Sequence, residues 1–203
     1  MSKNRNGDRL IMKKLTKIIR ILTIPPIMAL IMLTTLFLLR PEVFGGALSY
    51  CLAVFFISVF PVMAYPLQPV IPHFKDKGRE GQRNLAMWFS VAGYLLGCIV
   101  NIFMNATLTL WLVYLVYLFS GLGIFIFSKV FHFKASGHAC GIMGPIAFLI
   151  YSGIYYAAFG LVVYLAALWA SVRMKRHTVL QFIVGAAIPV VALLVLVAVF
   201  AVV

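Results

Sequence analysis

Side chains suited to phosphate chemistry gather in three short polar segments of this chain of 203 residues. Each segment combines lysine or arginine with histidine, and together they contain all four histidines of the sequence. Cations stabilise charge on phosphoryl oxygens, while one imidazole can act as a nucleophile and another as an acid. The three clusters are His73, Lys75, Lys77, Arg79 and Arg83; Lys129, His132, Lys134 and His138; and Arg173, Lys175, Arg176 and His177.

The scarcity of carboxylates excludes several classes of catalytic site. Only Asp76 and Glu80, of four acidic residues in the chain, lie within a cluster. A two-metal phosphatase, a carboxylate acid–base pair or an acidic proton relay needs several such groups. Zinc bound by histidine alone lacks a pair of histidines one helical turn apart. We therefore expect an anion-binding site without a metal ion or a cofactor.

Basic loops also have a simpler explanation, because the positive-inside rule places lysine and arginine on the cytoplasmic side of membrane proteins in general. Histidine contributes little to that rule, so topology does not account for the histidines in the same segments. The combination favours an anion-binding site over a purely topogenic signal.

The elements that must position these clusters are apolar. Hydrophobic residues make up 64% of the chain and charged residues 10%, and the mean hydropathy is +1.08. A soluble domain carries about a quarter charged residues. Apolar runs of about 20 residues recur, which is enough to cross the roughly 30 Å hydrocarbon core of a bilayer. The sequence predicts an all-α, polytopic transmembrane bundle whose partners are membrane lipids and not nucleic acid.

Six or seven spans are expected. The run 139–172 is long for one span and short for two, and Ser152-Gly153 near its middle can break it. Two short helices there bring all three clusters to one membrane face, whereas a single helix would separate the third cluster from the others. Seven cations before residue 21 then place the N-terminus and the site in the cytoplasm. The other predicted spans are 20–40, 47–65, 86–104, 108–130 and 178–203.

Residues 1–19 are predicted to form a basic amphipathic segment, and residues 20–203 a single transmembrane domain. From Ile11 onward, apolar residues recur at helical spacing between the cations, which is typical of a helix on an anionic leaflet. A plain topogenic signal is the alternative. Pro25-Pro26 predicts a kink close to the start of the first span.

Two of the clusters resemble motifs of the type 2 phosphatidic acid phosphatase superfamily of membrane lipid phosphatases. Lys134-Ala135-Ser136-Gly137-His138 is similar to the PSGH motif, and Arg173 to His177 is similar to part of SRxxxxxHxxxD. In that family these are the second and third motifs, and the first motif, KxxxxxxRP, precedes both. The resemblance extends over about residues 70–190. It implies a metal-independent lipid phosphatase that forms a phosphohistidine.

The middle motif has Ala135 where the family has proline. The resemblance assigns His138 to protonate the leaving oxygen, and Lys134 is an expected phosphate ligand beside it. Ser136, Gly137 and the following amides can donate to phosphate oxygens, because a helix N-terminus favours an anion. A tight turn of small residues with an exposed imidazole is the alternative.

The third motif makes His177 the nucleophile by resemblance. Gln181 stands where the family has aspartate, one helical turn later, and its amide oxygen is expected to hold the proton on Nδ1 of His177. This HTxxQ form resembles the polyprenyl (dolichyl-type) diphosphate phosphatase branch, which implies a diphosphate lipid substrate. Ser171 occupies the position of the family arginine, and Arg173, two residues later, is the expected phosphate ligand.

The first motif is the least complete. The spacing from Lys77 to Arg83 is one residue short, and Asn84 replaces proline. A flexible loop can still bring Lys77 and Arg83 to a phosphate, where arginine offers a bidentate fork. A solvated topogenic loop is the alternative.

The residues and the resemblance together imply hydrolysis of a lipid phosphate or diphosphate, either a polyprenyl diphosphate or a phosphatidyl lipid, by a multi-pass protein of a prokaryotic cell membrane. The alternative is a catalytically weak or inactive family member that binds or moves phospholipids, which Ser171 and Gln181 favour. A small transporter has less support, because no acidic residue lies inside a predicted span and no inverted repeat is visible.

Overall fold

The computed structural model describes residue 12 and residues 14–202, and within them the chain is helical with no β-strand. The helices that build the bundle are α1 (Lys14–Leu22), α2 (Pro25–Leu39), α3 (Ala47–Leu67), α4 (Gly78–Phe103), α5 (Leu108–Lys129), α6 (Gly137–Tyr151), α7 (Tyr155–Arg173) and α8 (Val179–Val202). Helix α3 contains a π-helical stretch at Phe55–Val59, and a short helix, Pro72–Lys75, precedes α4. The predicted all-α fold is confirmed for this part of the chain.

Five helices, α3, α4, α5, α7 and α8, are each long and apolar enough to cross a membrane. Helices α1 and α2 meet the same criterion together, although they are bent by 47°. Helix α6 is apolar but has only 15 residues, so it is about 22 Å long. The described residues therefore form a multi-pass membrane protein with five to six apolar helices able to span a bilayer, and one shorter apolar helix.

The kink between α1 and α2 follows from two adjacent prolines. Helix α1 ends where Thr23 N–H donates to Ile19 O at 3.1 Å, and Ile24 is extended, with a ψ angle of 145°. Pro25 and Pro26 open α2, where a missing N–H breaks no helical hydrogen bond. The predicted kink is confirmed.

The predicted basic amphipathic segment, residues 1–19, is only partly described. Residues 1–11 and 13 lie outside the described part of the chain, so their helical character stays a prediction. Within α1, Leu15, Ile18 and Leu22 are exposed, and their spacing places them on one side of the helix. This apolar side is available for contact with lipid.

The run 139–172 forms two helices that part at Gly153, as predicted. Gly153 has a φ angle of +83°, a left-handed conformation that favours glycine, and the guanidinium of Arg40 lies against it. Gly160 in α7 faces Ile146 in the second half of α6, because a Cβ on Gly160 would lie 2.8 Å from Cγ1 of Ile146. The two helices are therefore antiparallel, and α7 returns to the end of the bundle where α6 begins.

The helices alternate in direction, so their polar connections collect at two ends of the bundle. At the far end, the Thr107 hydroxyl donates to the Val43 carbonyl and joins the loops that precede α5 and α3. The opposite end carries the three basic clusters, and we call it the cationic end. It is formed by residues 14–24, 65–83, 129–138 and 173–181.

Two groups of buried side chains hold the bundle together. The larger group lies between α2, α5 and the far-end loops, and it includes Phe44 and Tyr114. The smaller group lies nearer the cationic end and joins α6, α7 and α8 through Ala139, Ala167 and Phe182. Small side chains let membrane helices approach closely. This smaller core fixes the start of α6, the end of α7 and the start of α8 relative to one another.

Candidate functional site

The turn between α7 and α8 carries the third basic cluster, and it closes α7 with a Schellman motif. Lys175 N–H donates to Val172 O at 2.9 Å, and Arg176 N–H donates to Ser171 O at 3.0 Å. Lys175 is left-handed, with a φ angle of +52°, at the position that glycine usually holds in this motif. The motif turns the chain sharply, so Arg176 and His177 follow at once at the cationic end.

Helix α8 begins with a reciprocal capping box. Gln181 N–H donates to Thr178 Oγ1 at 3.2 Å, and Thr178 N–H donates to Gln181 Oε1 at 3.1 Å. We expected this amide oxygen to hold the Nδ1 proton of His177; instead it accepts from a backbone donor at the helix start. Nδ1 of His177 is buried and has no hydrogen-bond partner among the described residues. In this structure Gln181 is thus a helix cap, and its side chain also raises the pKa of His177.

Ser136 starts α6 and anchors the middle motif to α8. Its Oγ accepts from Ala139 N–H at 3.2 Å, and its own N–H donates to Gln181 O at 3.0 Å. A Cβ on Gly185 would lie 2.3 Å from Ser136 O, so glycine permits this close approach. Ser136 is thus a buried cap whose N–H is not free for phosphate, contrary to expectation. Gly137 carries the first amide of α6 without a helical acceptor.

The backbone hydrogen bond between Ser136 and Gln181 places the N-termini of α6 and α8 side by side. Each N-terminus carries the partial positive charge of the helix dipole and N–H groups without helical acceptors. His138 is the second residue of α6, and His177 immediately precedes the Thr178 cap of α8. Two imidazoles are therefore held beside a pair of helix ends that favour anions.

His138 is held by the kink between α1 and α2. Its Nε2 lies 2.7 Å from Thr23 Oγ1, and the same hydroxyl donates to Ile19 O at 2.7 Å. A hydroxyl has one proton to donate, so Thr23 Oγ1 must accept from the Nε2–H of His138. Nδ1 is then the nitrogen of His138 that can exchange a proton with a ligand.

The His177 imidazole lies among cations from the other two clusters. Burial lowers the pKa of His177 below its ordinary value, and the charge of Lys134 and then that of Arg83 lower it further, although the Lys134 backbone and the Gln181 side chain partly oppose the shift. The lowered pKa favours the neutral imidazole, which keeps the lone pair that a nucleophile needs.

Electrostatic contacts connect the three basic clusters at this end. His138 interacts with Arg20 and His177, and His177 interacts with Lys134 and Arg83. The structure thus brings together His138, His177, Lys134 and Arg83 of the predicted site, and it adds Arg20 from the end of α1.

Two hollows lie at the cationic end. One surrounds His177 and is also lined by Val172, Lys175, Arg176, Thr178, Val179 and Gln181. The other is lined in equal numbers by cations and by uncharged residues, and we call it the arginine cleft. It has a volume of about 920 Å³. The expected phosphate ligand Arg173 lines this cleft and not the hollow around His177. The described lining consists of the cations Lys17, Arg20, Arg79, Arg173 and Arg176 together with Met12, Thr16, Ile21, Ile24 and Met174.

Lys77 lines neither hollow. Its Nζ lies 3.1 Å from His73 Nε2 and 5.8 Å from the ring centre of Phe74. Both partners belong to the same short segment as Lys77, so this lysine is turned toward its own loop. The expected role of Lys77 as a phosphate ligand is not supported by this position, and Arg79 of the same cluster lines the arginine cleft instead.

The sequence analysis missed Arg20 and Thr23 at this end, and it placed Arg79 and Arg176 in the basic clusters without expecting them to bind phosphate. A signal existed for Arg176, which is adjacent to His177, and for Arg79, which lies one helical turn before Arg83 on α4. Arg20 and Thr23 come from the first span, and only their position before Pro25-Pro26 marks them as the end of a helix.

Among the residues that the structure describes, no group of three or more His, Cys, Asp or Glu side chains is arranged to hold a metal ion. The ion pair found in the same part of the chain joins Arg40 to Glu42 at 3.8 Å, at the far end. The groups gathered at the cationic end are cations, imidazoles and backbone N–H groups, which bind anions.

Comparison with known proteins adds no assignment. No protein-family model matches the chain, and no curated protein or solved structure is significantly similar to it. The function proposed for this protein therefore depends on the residues and the geometry of the cationic end.

Proposed function

We propose that the protein is a membrane-embedded phosphatase of lipid phosphates or diphosphates that works without a metal ion. The observation that carries this proposal is the position of the His177 imidazole, among cations and beside His138 and two helix N-termini. A neutral imidazole can attack phosphorus, while cations and helix ends stabilise the charge on the transferred group.

His177 is the nucleophile in this proposal. Its unprotonated nitrogen bonds to phosphorus as the bond from phosphorus to the lipid oxygen breaks, which gives a phosphohistidine and a released lipid. Water then attacks the phosphohistidine, the bond from nitrogen to phosphorus breaks, and inorganic phosphate leaves. Lys134 and Arg83, which interact with His177, stabilise the phosphoryl oxygens in both steps.

The hydrogen bonds of His138 favour a diphosphate substrate over a monophosphate. Its Nε2–H is engaged by Thr23, so the neutral ring has no free proton for a leaving group. When a diphosphate lipid transfers its terminal phosphoryl group, the leaving group is a phosphate monoester. Its second pKa is about 6, so it needs no proton at pH 7. When a monophosphate lipid is cleaved, the leaving group is an alcohol, which does need a proton. A polyprenyl diphosphate therefore suits this site better than a phosphatidyl lipid.

The orientation of the bundle is part of the proposal. The five long apolar helices, and the bent pair α1–α2 as a sixth span, are able to cross a membrane, and we infer a seventh crossing by the short helix α6. The cationic end then lies at the cytoplasmic face, because lysine and arginine are retained on that side. A lipid tail would reach the site sideways, between the helices.

A second candidate is the binding or movement of phospholipids without turnover. Two departures from the resembling family favour it. Gln181, at the position of the family aspartate, caps α8, and Ser171, at the position of the family arginine, is buried. In that case the cationic end binds a lipid phosphate and does not transfer it.

Phosphate release by the purified protein separates the two candidates. Wild type and His177→Ala are incubated with a polyprenyl diphosphate or with phosphatidic acid, and inorganic phosphate is measured. Release by wild type that is lost in the variant supports the phosphatase. Lipid binding without release by wild type supports the second candidate and overturns the first.

A further inference from the structure

Among the residues that the structure describes, the lining of the arginine cleft carries positive charge and no negative charge. Its ten described lining residues include five cations and no carboxylate. Arg20 lies close enough to Arg79 and Arg176 to be repelled by both. Like charges held together are unfavourable, and a bound anion offsets that cost. The cleft therefore has the composition of an anion-binding site.

The cleft adjoins the hollow around His177 but does not coincide with it. Arg176 lines both hollows. Arg20 lines the cleft and also interacts with His138. An anion in the cleft and a phosphoryl group at His177 can therefore belong to one ligand with two neighbouring charged groups.

Apolar side chains complete the cleft. Met12, Ile21, Ile24 and Met174 line it together with the cations. Ile21 belongs to α1, and Ile18 on the same helix is exposed on the surface of the bundle. A ligand that matches both the cations and these side chains is a phosphate-bearing amphiphile.

We propose that the arginine cleft is a second phosphate subsite, which binds the lipid-attached phosphate of a diphosphate lipid while the terminal phosphate lies at His177. Arginine suits this role because its planar guanidinium can donate two parallel hydrogen bonds to one phosphate. A monophosphate lipid has one phosphate and cannot occupy both places. The inference rests on the proposed function for the position of the terminal phosphate, but binding in the cleft requires no turnover.

Two lipids that cannot be hydrolysed test this subsite. One is farnesyl methylenebisphosphonate, in which carbon replaces the bridging oxygen, and the other is farnesyl phosphonate. Arg79→Gln and Arg173→Gln each remove an exposed cation that lines only the cleft. The matched control is Lys129→Gln, which removes an exposed cation of the cationic end outside both hollows.

We expect each cleft variant to weaken binding of the bisphosphonate about ten-fold, the effect of losing one charge-assisted hydrogen bond. Binding of the monophosphonate should stay at the wild-type level in both variants, and Lys129→Gln should bind both lipids as wild type does. Monodisperse elution and an unchanged Tm check that the variants are folded.

Three results would overturn the subsite. Equal weakening for both lipids would mean that the cleft only attracts anions at long range. Unchanged binding of the bisphosphonate would mean that the cleft does not contact it. Soluble methylenebisphosphonate that binds as tightly as the farnesyl compound would exclude a lipid ligand. Because neither analogue is cleaved, failure to release phosphate from a true substrate affects the proposed function alone.

Discussion

The hydroxyl of Thr23 lies 2.7 Å from Nε2 of His138 and joins two segments that are 115 residues apart in the chain. Thr23 sits at the kink between α1 and α2, and His138 sits in the first turn of α6. The N-terminal helix thus contributes to the site in two ways, through Thr23 at His138 and through Arg20 in the arginine cleft.

Thr23→Val keeps the shape of the side chain and removes the hydroxyl. It leaves the Nε2–H of His138 without an acceptor, which for a buried polar group costs about 1–3 kcal/mol of stability. We expect a lower Tm and a lower kcat for phosphate release, with little change in KM. Thr23→Ser retains the hydroxyl and should restore both quantities. Wild-type turnover in Thr23→Val would contradict a positioning role for Thr23.

Gln181→Glu should preserve the structure of the site, because glutamate completes a capping box as glutamine does and its charge suits a helix N-terminus. Gln181→Leu removes the cap and should lower stability by about 1 kcal/mol. Thermal unfolding measures this loss. Because the Gln181 side chain raises the pKa of His177, the acid limb of kcat should move to lower pH in Gln181→Leu; an unchanged profile would show that Gln181 acts only as a cap.

The lowered pKa of His177 predicts how activity depends on pH. The imidazole is neutral and nucleophilic above its pKa, so activity should persist below 6.5, the ordinary value for histidine, and disappear as the pH falls through the lowered pKa. Burial is the main cause of the shift, and the Lys134 charge is the next. Lys134→Gln should therefore move the acid limb of kcat/KM part of the way toward higher pH. Lys129→Gln is the control, and an acid limb that moves to lower pH in Lys134→Gln would contradict this account.

Vanadate should inhibit phosphate release, and chelators should leave it unchanged. Vanadate adopts the five-coordinate geometry of phosphoryl transfer, and the cations and helix N-termini around His177 can stabilise it. The described residues offer no three-residue group for a metal ion. Phosphate release is measured with EDTA, and then with vanadate in the absence of EDTA. Activity that is lost in EDTA and restored by a divalent ion would contradict a metal-independent mechanism.

The fold was predictable in outline because its signals are local. Apolar runs set the helices that can span a membrane. Pro25-Pro26 and Gly153 break helices through their own backbone chemistry, and both breaks occur where the sequence places them. Local signals of this kind do not depend on which segments meet in space.

The site was less predictable because its contacts join distant segments. The Thr-x-x-Gln pattern at Thr178 fits both a capping box and a partner for His177, and only the structure shows that Gln181 Oε1 accepts from Thr178 N–H. Lys77 has the right type and nearly the right spacing for a phosphate ligand, yet it turns toward His73. No short-range pattern relates Thr23 to a histidine so far along the chain.

The α6–α7 hairpin predicts that the loops before and after it lie on the same side of the membrane, even if α6 does not cross the bilayer fully. The two helices are antiparallel, so the start of α6 and the end of α7 both lie at the cationic end. The far-end turn near Tyr155 reaches the opposite surface only if the short helix α6 does cross. The two cases predict different accessibility of the Tyr155 turn to a reagent outside the membrane.

Labelling with a membrane-impermeant thiol reagent distinguishes these cases. Single cysteines replace the exposed residues Lys129, Lys175 and Tyr155 in a background without the three native cysteines. We expect Lys129→Cys and Lys175→Cys to react from the cytoplasmic side, because basic loops are retained there, and Tyr155→Cys to react from outside. Reaction of Tyr155→Cys from neither side would make the hairpin re-entrant and reduce the number of crossings, but would leave the shared site intact. Reaction of Lys129→Cys and Lys175→Cys from opposite sides would separate His138 from His177 and exclude a common site.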